Sequence, residues 1–213
     1  MVADRALAAV SRQLGRPTGP AGRVVGRVLN RSNRALVAAA VDAVAAGPGA
    51  TVVDVGFGGG VGLQLLLDRV GAAGVVHGVE ISETMLAGAC GRFRRQIAAG
   101  RLQVHDATME QLPMPAGSVD AVVSTNTIYF IDDLQPAFVE LARVLRPGGR
   151  LAVGVGDPDA MAQMAFTRHG FTLRPVADIV DQGVDAGFTV PEVRRPDGGS
   201  GSVVVVCERP ASA

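Results

Sequence analysis

Three carboxylates and a run of glycines are the residues of this chain whose types and spacing can do chemistry. Asp54 follows Thr51, Val52 and Val53 and is followed by Val55 and then Gly56-Phe57-Gly58-Gly59-Gly60. Beyond the glycines, Leu63, Leu66, Leu67 and Val70 recur at helical spacing. Strand, glycine-rich loop and helix in that order make an anion site. The glycines admit a ligand with no Cβ in the way, and the helix start offers unpaired N–H groups with a partial positive charge. A second apolar run, Val75-Val76-His77-Gly78-Val79, ends on Glu80. An acid at that place holds a ribose diol in doubly wound nucleotide-binding folds. The dinucleotide fingerprint needs glycine where Val61 stands, so the spacing is GxGxG and NAD is disfavoured.

These residues need a parallel sheet to line up the strand ends, and the rest of the chain supplies its pattern. From Gly47-Pro48-Gly49 onward, strands alternate with helices: strands at 51–55, 75–79, 101–105, 119–124 and 150–155, helices at 60–70, 83–98 and 133–145. Ser82 and Asp133 are natural helix caps. Helices at 158–169 and 175–185 follow, then strands at 188–193 and 202–207 around Pro196-Asp197-Gly198-Gly199, a hairpin and hence an antiparallel pair. Upstream, 4–14 reads as a helix and 15–23 as too rich in Gly and Pro for a regular element. Helical spacing resumes at 24–29 and again at 36–44.

The segment Val52 to Gly60, followed by Glu80, resembles the first two motifs of class I S-adenosylmethionine-dependent methyltransferases. His105-Asp106-Ala107, Asp120 before Ala121-Val122-Val123, and Leu145-Arg146-Pro147-Gly148-Gly149-Arg150-Leu151 are similar to that family's later motifs. The resemblance runs from about Asn33 to Arg209. It implies an α/β, Rossmann-like doubly wound sheet of seven strands, mostly parallel with an antiparallel last strand. The implied organisation is an N-terminal helical cap or lid over 1–46 and a methyltransferase domain over 47–213, with 1–30 readable also as a plain tail.

The resemblance also implies S-adenosylmethionine as cofactor and S-adenosylhomocysteine as product. On that reading the loop at Gly56, Phe57, Gly58 and Gly60 meets the carboxylate of the cofactor, and Asp54 meets its ammonium. Glu80 accepts from both ribose hydroxyls and Asp106 from the adenine amino group. Ile81, Met85 and Ala107 sandwich the base, while Asn126 and Thr127 lie beneath the methionine moiety.

The acceptor is narrowed by elimination. Asn126-Thr127-Ile128-Tyr129 departs from the Asp/Asn-Pro-Pro-aromatic motif of amino-methylating enzymes, and no Cys is placed for base C5 chemistry. A small-molecule hydroxyl of a sugar, lipid or natural product is left as the expected acceptor. The alternatives are carbon methylation of a quinone- or lipid-like molecule, and a non-catalytic cofactor-binding module. The expected base is His169, in the segment 157–174 where the family builds acceptor specificity, with Tyr129 second and Asp132, Asp133 and Asp157 as further choices. His77 belongs to a strand interior. In-line transfer from a sulfonium requires no metal, and no metal ligands are assigned.

Composition bounds the rest. The 213 residues fit one α/β domain, and a net charge of zero gives no electrostatic case for nucleic acid or an acidic membrane. No apolar run reaches the ~18 residues of a membrane span. Cys90 and Cys207 form no metal or redox motif and read as reduced, packed thiols of a cytoplasmic protein. Arginines 12, 16, 23, 27, 31 and 34 read as a solvated basic face that can reach an anionic substrate. The partner expected is a small-molecule acceptor, without nucleic acid or membrane insertion; a homodimer is left open.

Overall fold

A computed structural model describes residues 2–196 and 201–211. Seven strands form one sheet: β1 (Thr51–Val55), β2 (Val75–Glu80), β3 (Leu102–Asp106), β4 (Val119–Thr125), β5 (Leu145–Gly156), β6 (Thr189–Arg194) and β7 (Ser202–Glu208). Their order is β3-β2-β1-β4-β5-β7-β6. β1 to β5 pair in parallel, while β7 runs antiparallel to both β5 and β6. The sheet is therefore mostly parallel with the reversed strand that the resemblance implied. Asp197–Ser200, the centre of the expected hairpin turn, lies outside the described residues.

Successive side chains of a strand point to opposite faces, and the valine runs use both. On β7, Val203, Val205 and Cys207 enter one core, and Val204 and Val206 the other. The first core is closed by α7 (Leu134–Val144) and α9 (Val176–Asp185) through Phe138, Leu141 and Ile179. The second is closed by α3 (Arg34–Ala43), α4 (Val61–Val70) and α5 (Glu83–Arg92) through Leu36, Val41, Leu63, Leu66 and Met85. A sheet covered on both faces is why these strands read as near-continuous apolar runs.

Several boundaries differ from the sequence expectation. The helix expected over 83–98 divides into α5 and α6 (Arg94–Ala98) at Phe93, whose φ of −106° and ψ of 23° leave the helical path and whose ring is buried. The helix expected over 158–169 is shorter: α8 (Pro158–Ala162) and then a 3-10 turn at Ala165–Arg168. The Gly/Pro segment taken as irregular contains the start of α2 (Gly19–Ser32), which follows α1 (Val2–Gly15). Pro20 is tolerated there because the first turn has no intrahelical partner for its missing N–H. Leu145 already pairs with Val119, so β5 begins before the expected turn at Pro147-Gly148-Gly149. Cys207 is buried, which pushes its thiol up to about 12, but Cys90 is exposed and is not a packed thiol.

Candidate active site

The strand order reverses between β1 and β4, and the crevice beyond their carboxyl ends is where ligands bind in such sheets. A cavity of about 280 Å³ opens there, lined from β1 and its loop, β2, the residues after β3 and β4, and the N-terminal helices. Gly56 begins the loop with φ +73°, and a Cβ there would stand 2.2 Å from Thr127 Oγ1. The left-handed backbone and this close approach both require glycine. A Cβ on Gly58, by contrast, would meet no protein atom within 4 Å. Gly58 is also one of the residues that line the cavity.

Asp54 is 3% exposed at the cavity floor. Burial first, and the charge of Glu80 second, push its carboxyl up to about 7. No hydrogen bond lowers it, and a Cβ on Gly62 would stand 2.1 Å from its Oδ2. A buried carboxylate without a donor among the described residues is suited to a cationic ligand group.

Glu80 is 7% exposed and held by backbone. Its Oε1 accepts the N–H of Ile81 at 2.8 Å and of Ser82 at 3.0 Å, and its Oε2 accepts the N–H of Gly58 at 3.0 Å. Burial raises this carboxyl, against the opposing pull of those three N–H groups and of Arg16. Three of a carboxylate's roughly four acceptor positions are thus filled. The remaining acceptor capacity is free for a further donor.

Among the residues expected to bind cofactor, Asp54, Gly56, Phe57, Gly58, Glu80, Ile81, Met85, Ala107, Asn126 and Thr127 line the cavity. Gly60 does not: it caps α4 with φ +79° and gives its N–H to Phe57 O at 2.9 Å. Asp106 also stands apart, exposed at the end of β3 beside Glu80, while the next residues, Ala107 to Glu110, line the wall.

The two residues nominated for catalysis lie elsewhere. His169 is absent from the lining; its Nε2 is 3.3 Å from Asp4 Oδ1, and its carbonyl accepts the Ser11 hydroxyl. It fastens α1 to the segment after β5. Tyr129 is buried in the turn at Ile128–Phe130, its hydroxyl accepting the N–H of Gly156 at 2.5 Å. Burial pushes that phenol up to about 12, which unfits it as a base at neutral pH. Asp133 and Asp157 cap α7 and α8. Among the described residues, none of 157–174 lines the cavity. Phe171 instead packs on Tyr129 and Phe130, and Arg174 donates to the carbonyls of Ile128 and Ile131. The segment braces the loop after β4 from behind.

Sequence reasoning missed the residues that roof the cavity. Leu14, Gly15 and Pro17 come from α1 and the turn after it, Gly26 from α2, and Asn33 and Val37 from the start of α3. The turn is pinned by Ser82 Oγ donating to Pro17 O at 2.5 Å and Gly19 N donating to Thr84 Oγ1 at 3.0 Å. These contacts span 65 residues, beyond any local pattern.

Residues 53–153 match the family described as a methyltransferase domain. Residues 53–153 therefore make a methyltransferase domain. The chain is 33% identical over 169 residues to an uncharacterized 37.1 kDa protein in transposon Tn4556 of Streptomyces fradiae, covering 72% of its own length and 47% of the other's. It is 31% identical to nocamycin O-methyltransferase of Saccharothrix syringae, over 59% of its own length and 45% of the other's. It thus spans about half the length of these relatives. Geranyl diphosphate C-methyltransferase from Streptomyces coelicolor, solved with Mg2+, geranyl-S-thiolodiphosphate and S-adenosylhomocysteine, superposes with a TM-score of 0.73 at 19% identity, covering 92% of this chain and 83% of the other. That likeness is one of fold.

S-adenosylmethionine, the cofactor of that family, fits the donor set of this cavity. Gly58 would cradle it, Asp54 would offer a carboxylate to its ammonium, and Glu80 would accept from its ribose. Ile81, Met85 and Ala107 supply apolar walls near that acid. When bound, this cofactor supplies a sulfonium methyl group to an in-line nucleophile.

Proposed function

We propose that the protein methylates an oxygen of a small molecule, and that this oxygen enters already ionised, as a carboxylate or an acidic hydroxyl does. The observation that carries this reading is the make-up of the cavity lining. It includes the amides of Asn33 and Asn126 together with the apolar side chains of Leu14, Phe130 and Ile131. Amide N–H groups stabilise an oxyanion by donating to it, and apolar neighbours keep water from competing. An ionised oxygen needs no base, in keeping with the engagement of Tyr129 by Gly156 and of His169 by Asp4. The chain's own contribution is then orientation: the turn after β4 fixes Asn126, and the N-terminal helices exclude water. The 31% identity to an O-methyltransferase supports oxygen as the target.

Carbon methylation of an apolar acceptor is the second reading, favoured by the hydrocarbon share of the same lining. Incubation with S-adenosylmethionine and a panel of carboxylic acids, phenols and alkyl alcohols, read by release of S-adenosylhomocysteine and by the product's NMR spectrum, tests both. Methyl esters or aryl ethers are expected. A new C–CH3 signal would favour the second reading, turnover of alkyl alcohols would overturn the ionised-acceptor reading, and no turnover would favour a binding module.

A further inference from the structure

Between residues 5 and 41 the chain has seven arginines and no acid, although its overall net charge is zero. The rest of the protein carries the compensating negative charge. At physiological salt, charges separated by more than about 8 Å are screened from one another, so a docking surface feels the local arginines and not the net value. Arg23, Arg31 and Arg34 are exposed, and none has an ion-pair partner among the described residues.

The way α2 is seated makes this charge more informative. Surface helices of globular domains turn their apolar stripe inward. α2 instead packs through glycines: a Cβ on Gly22 would stand 2.7 Å from the Pro17 carbonyl carbon, and one on Gly26 would stand 3.1 Å from Met85 Sδ. Two of its branched apolar residues, Val24 and Val28, go outward, while Val25 is half-buried. Val24 and Val28, one helical turn apart, are 56% and 61% exposed, on the stretch bounded by Arg23 and Arg31.

We propose that this outer face of α2 docks on an anionic lipid surface. Arginines meet the headgroup charge while the two valines sink to the boundary with the acyl chains, the arrangement of helices that lie in a membrane interface. Nucleic acid is the weaker match. The chain has no aromatic residue before Phe57 on which a base could stack, and exposed valines gain nothing from phosphates. Among the described residues no helix is long and apolar enough to cross a membrane, so the association is peripheral at this helix. This inference does not depend on the identity of the acceptor.

Sedimentation of the full chain with phosphatidylcholine vesicles, with and without phosphatidylglycerol, at low and high salt, is the test. Binding is expected to the anionic vesicles alone and to fade at high salt. Arg23→Gln and Arg31→Gln should each weaken it about fivefold. The pair Val24→Asp and Val28→Asp should weaken it by ~tenfold or more. S-adenosylhomocysteine affinity, measured on every variant, should stay at the wild-type value and so establish that the fold is kept. Equal recovery with neutral and anionic vesicles, or wild-type sedimentation of the double aspartate variant, would overturn the proposal. So would a dimer that Val24→Asp splits, which gives the face to a second copy, or single-stranded RNA binding that the valine changes leave intact.

Discussion

The hydroxyl of Tyr129 lies 3.4 Å from Asn126 Oδ1 while accepting the N–H of Gly156 at 2.5 Å. One buried phenol therefore ties the end of β5 to the residue that follows β4, at φ +56°. Asn tolerates that left-handed conformation better than most residues, and the tie holds its carboxamide at the cavity wall. Tyr129 positions; it does not take a proton.

Tyr129→Phe tests this directly. The change leaves the Gly156 N–H without its acceptor and should cost about 1–3 kcal/mol of stability. Denaturant unfolding measures that loss. A pH–rate profile of the variant should keep the wild-type shape, because a group near 12 does not titrate in the working range. A limb of the profile that vanished with the hydroxyl would restore Tyr129 as a base.

Asp54 should set the pH dependence of cofactor binding. Its carboxyl is raised to about 7, so below that pH the group is protonated and offers no charge to an ammonium. Affinity for S-adenosylhomocysteine should fall ~tenfold per pH unit below that point. Calorimetry across the neutral range should show this slope in the wild type, and weaker, flat binding in Asp54→Asn. The unliganded protein has the opposite trend. A raised carboxyl contributes stability below its unfolded value of 3.8 that is lost as pH rises through about 7.

His77 and His105 form an acid-sensitive pair across β2 and β3. Nδ1 of one lies 3.0 Å from Nε2 of the other. Burial first, and the neighbouring His105 second, lower His77 from 6.5 to about 4; burial also lowers His105. The unfolded chain binds the extra proton first. The pair therefore contributes stability above pH 6.5 that is lost as pH falls through about 4. His77→Gln should flatten the melting temperature between those limits relative to wild type. The comparison with wild type also removes the opposing slope from Asp54, and parallel curves would mean the pair takes up protons equally in both states.

The N-terminal helices should govern access to the cavity. A Cβ on Gly15 would stand 2.8 Å from two ring carbons of Phe130, so Gly15→Val should push α1 away from the loop after β4. Limited proteolysis between Gly15 and Arg23 should accelerate in the variant and slow in the wild type when S-adenosylhomocysteine is added. Cleavage that ignored both the variant and the ligand would reduce residues 1–30 to a tail.

By itself the sequence determined the strand ends. Asp54 and Glu80 stand at the ends of near-continuous valine runs, and a glycine-dense turn between a strand and a helix has few other uses. The parallel sheet and its reversed strand followed from spacing and from the family resemblance. Only the tertiary structure decided which side chains share the cavity. Asp106 and Ala107 are adjacent, yet Ala107 lines the wall and Asp106 stays exposed, because neighbours on an extended chain point apart. His169 looked free to act until α1 folded back 158 residues to meet it through Ser11. The roof over the cofactor site rests on contacts such as Ser82 with Pro17 and Gly26 with Met85. No local periodicity encodes those contacts, because they arise from the fit of one folded surface against another.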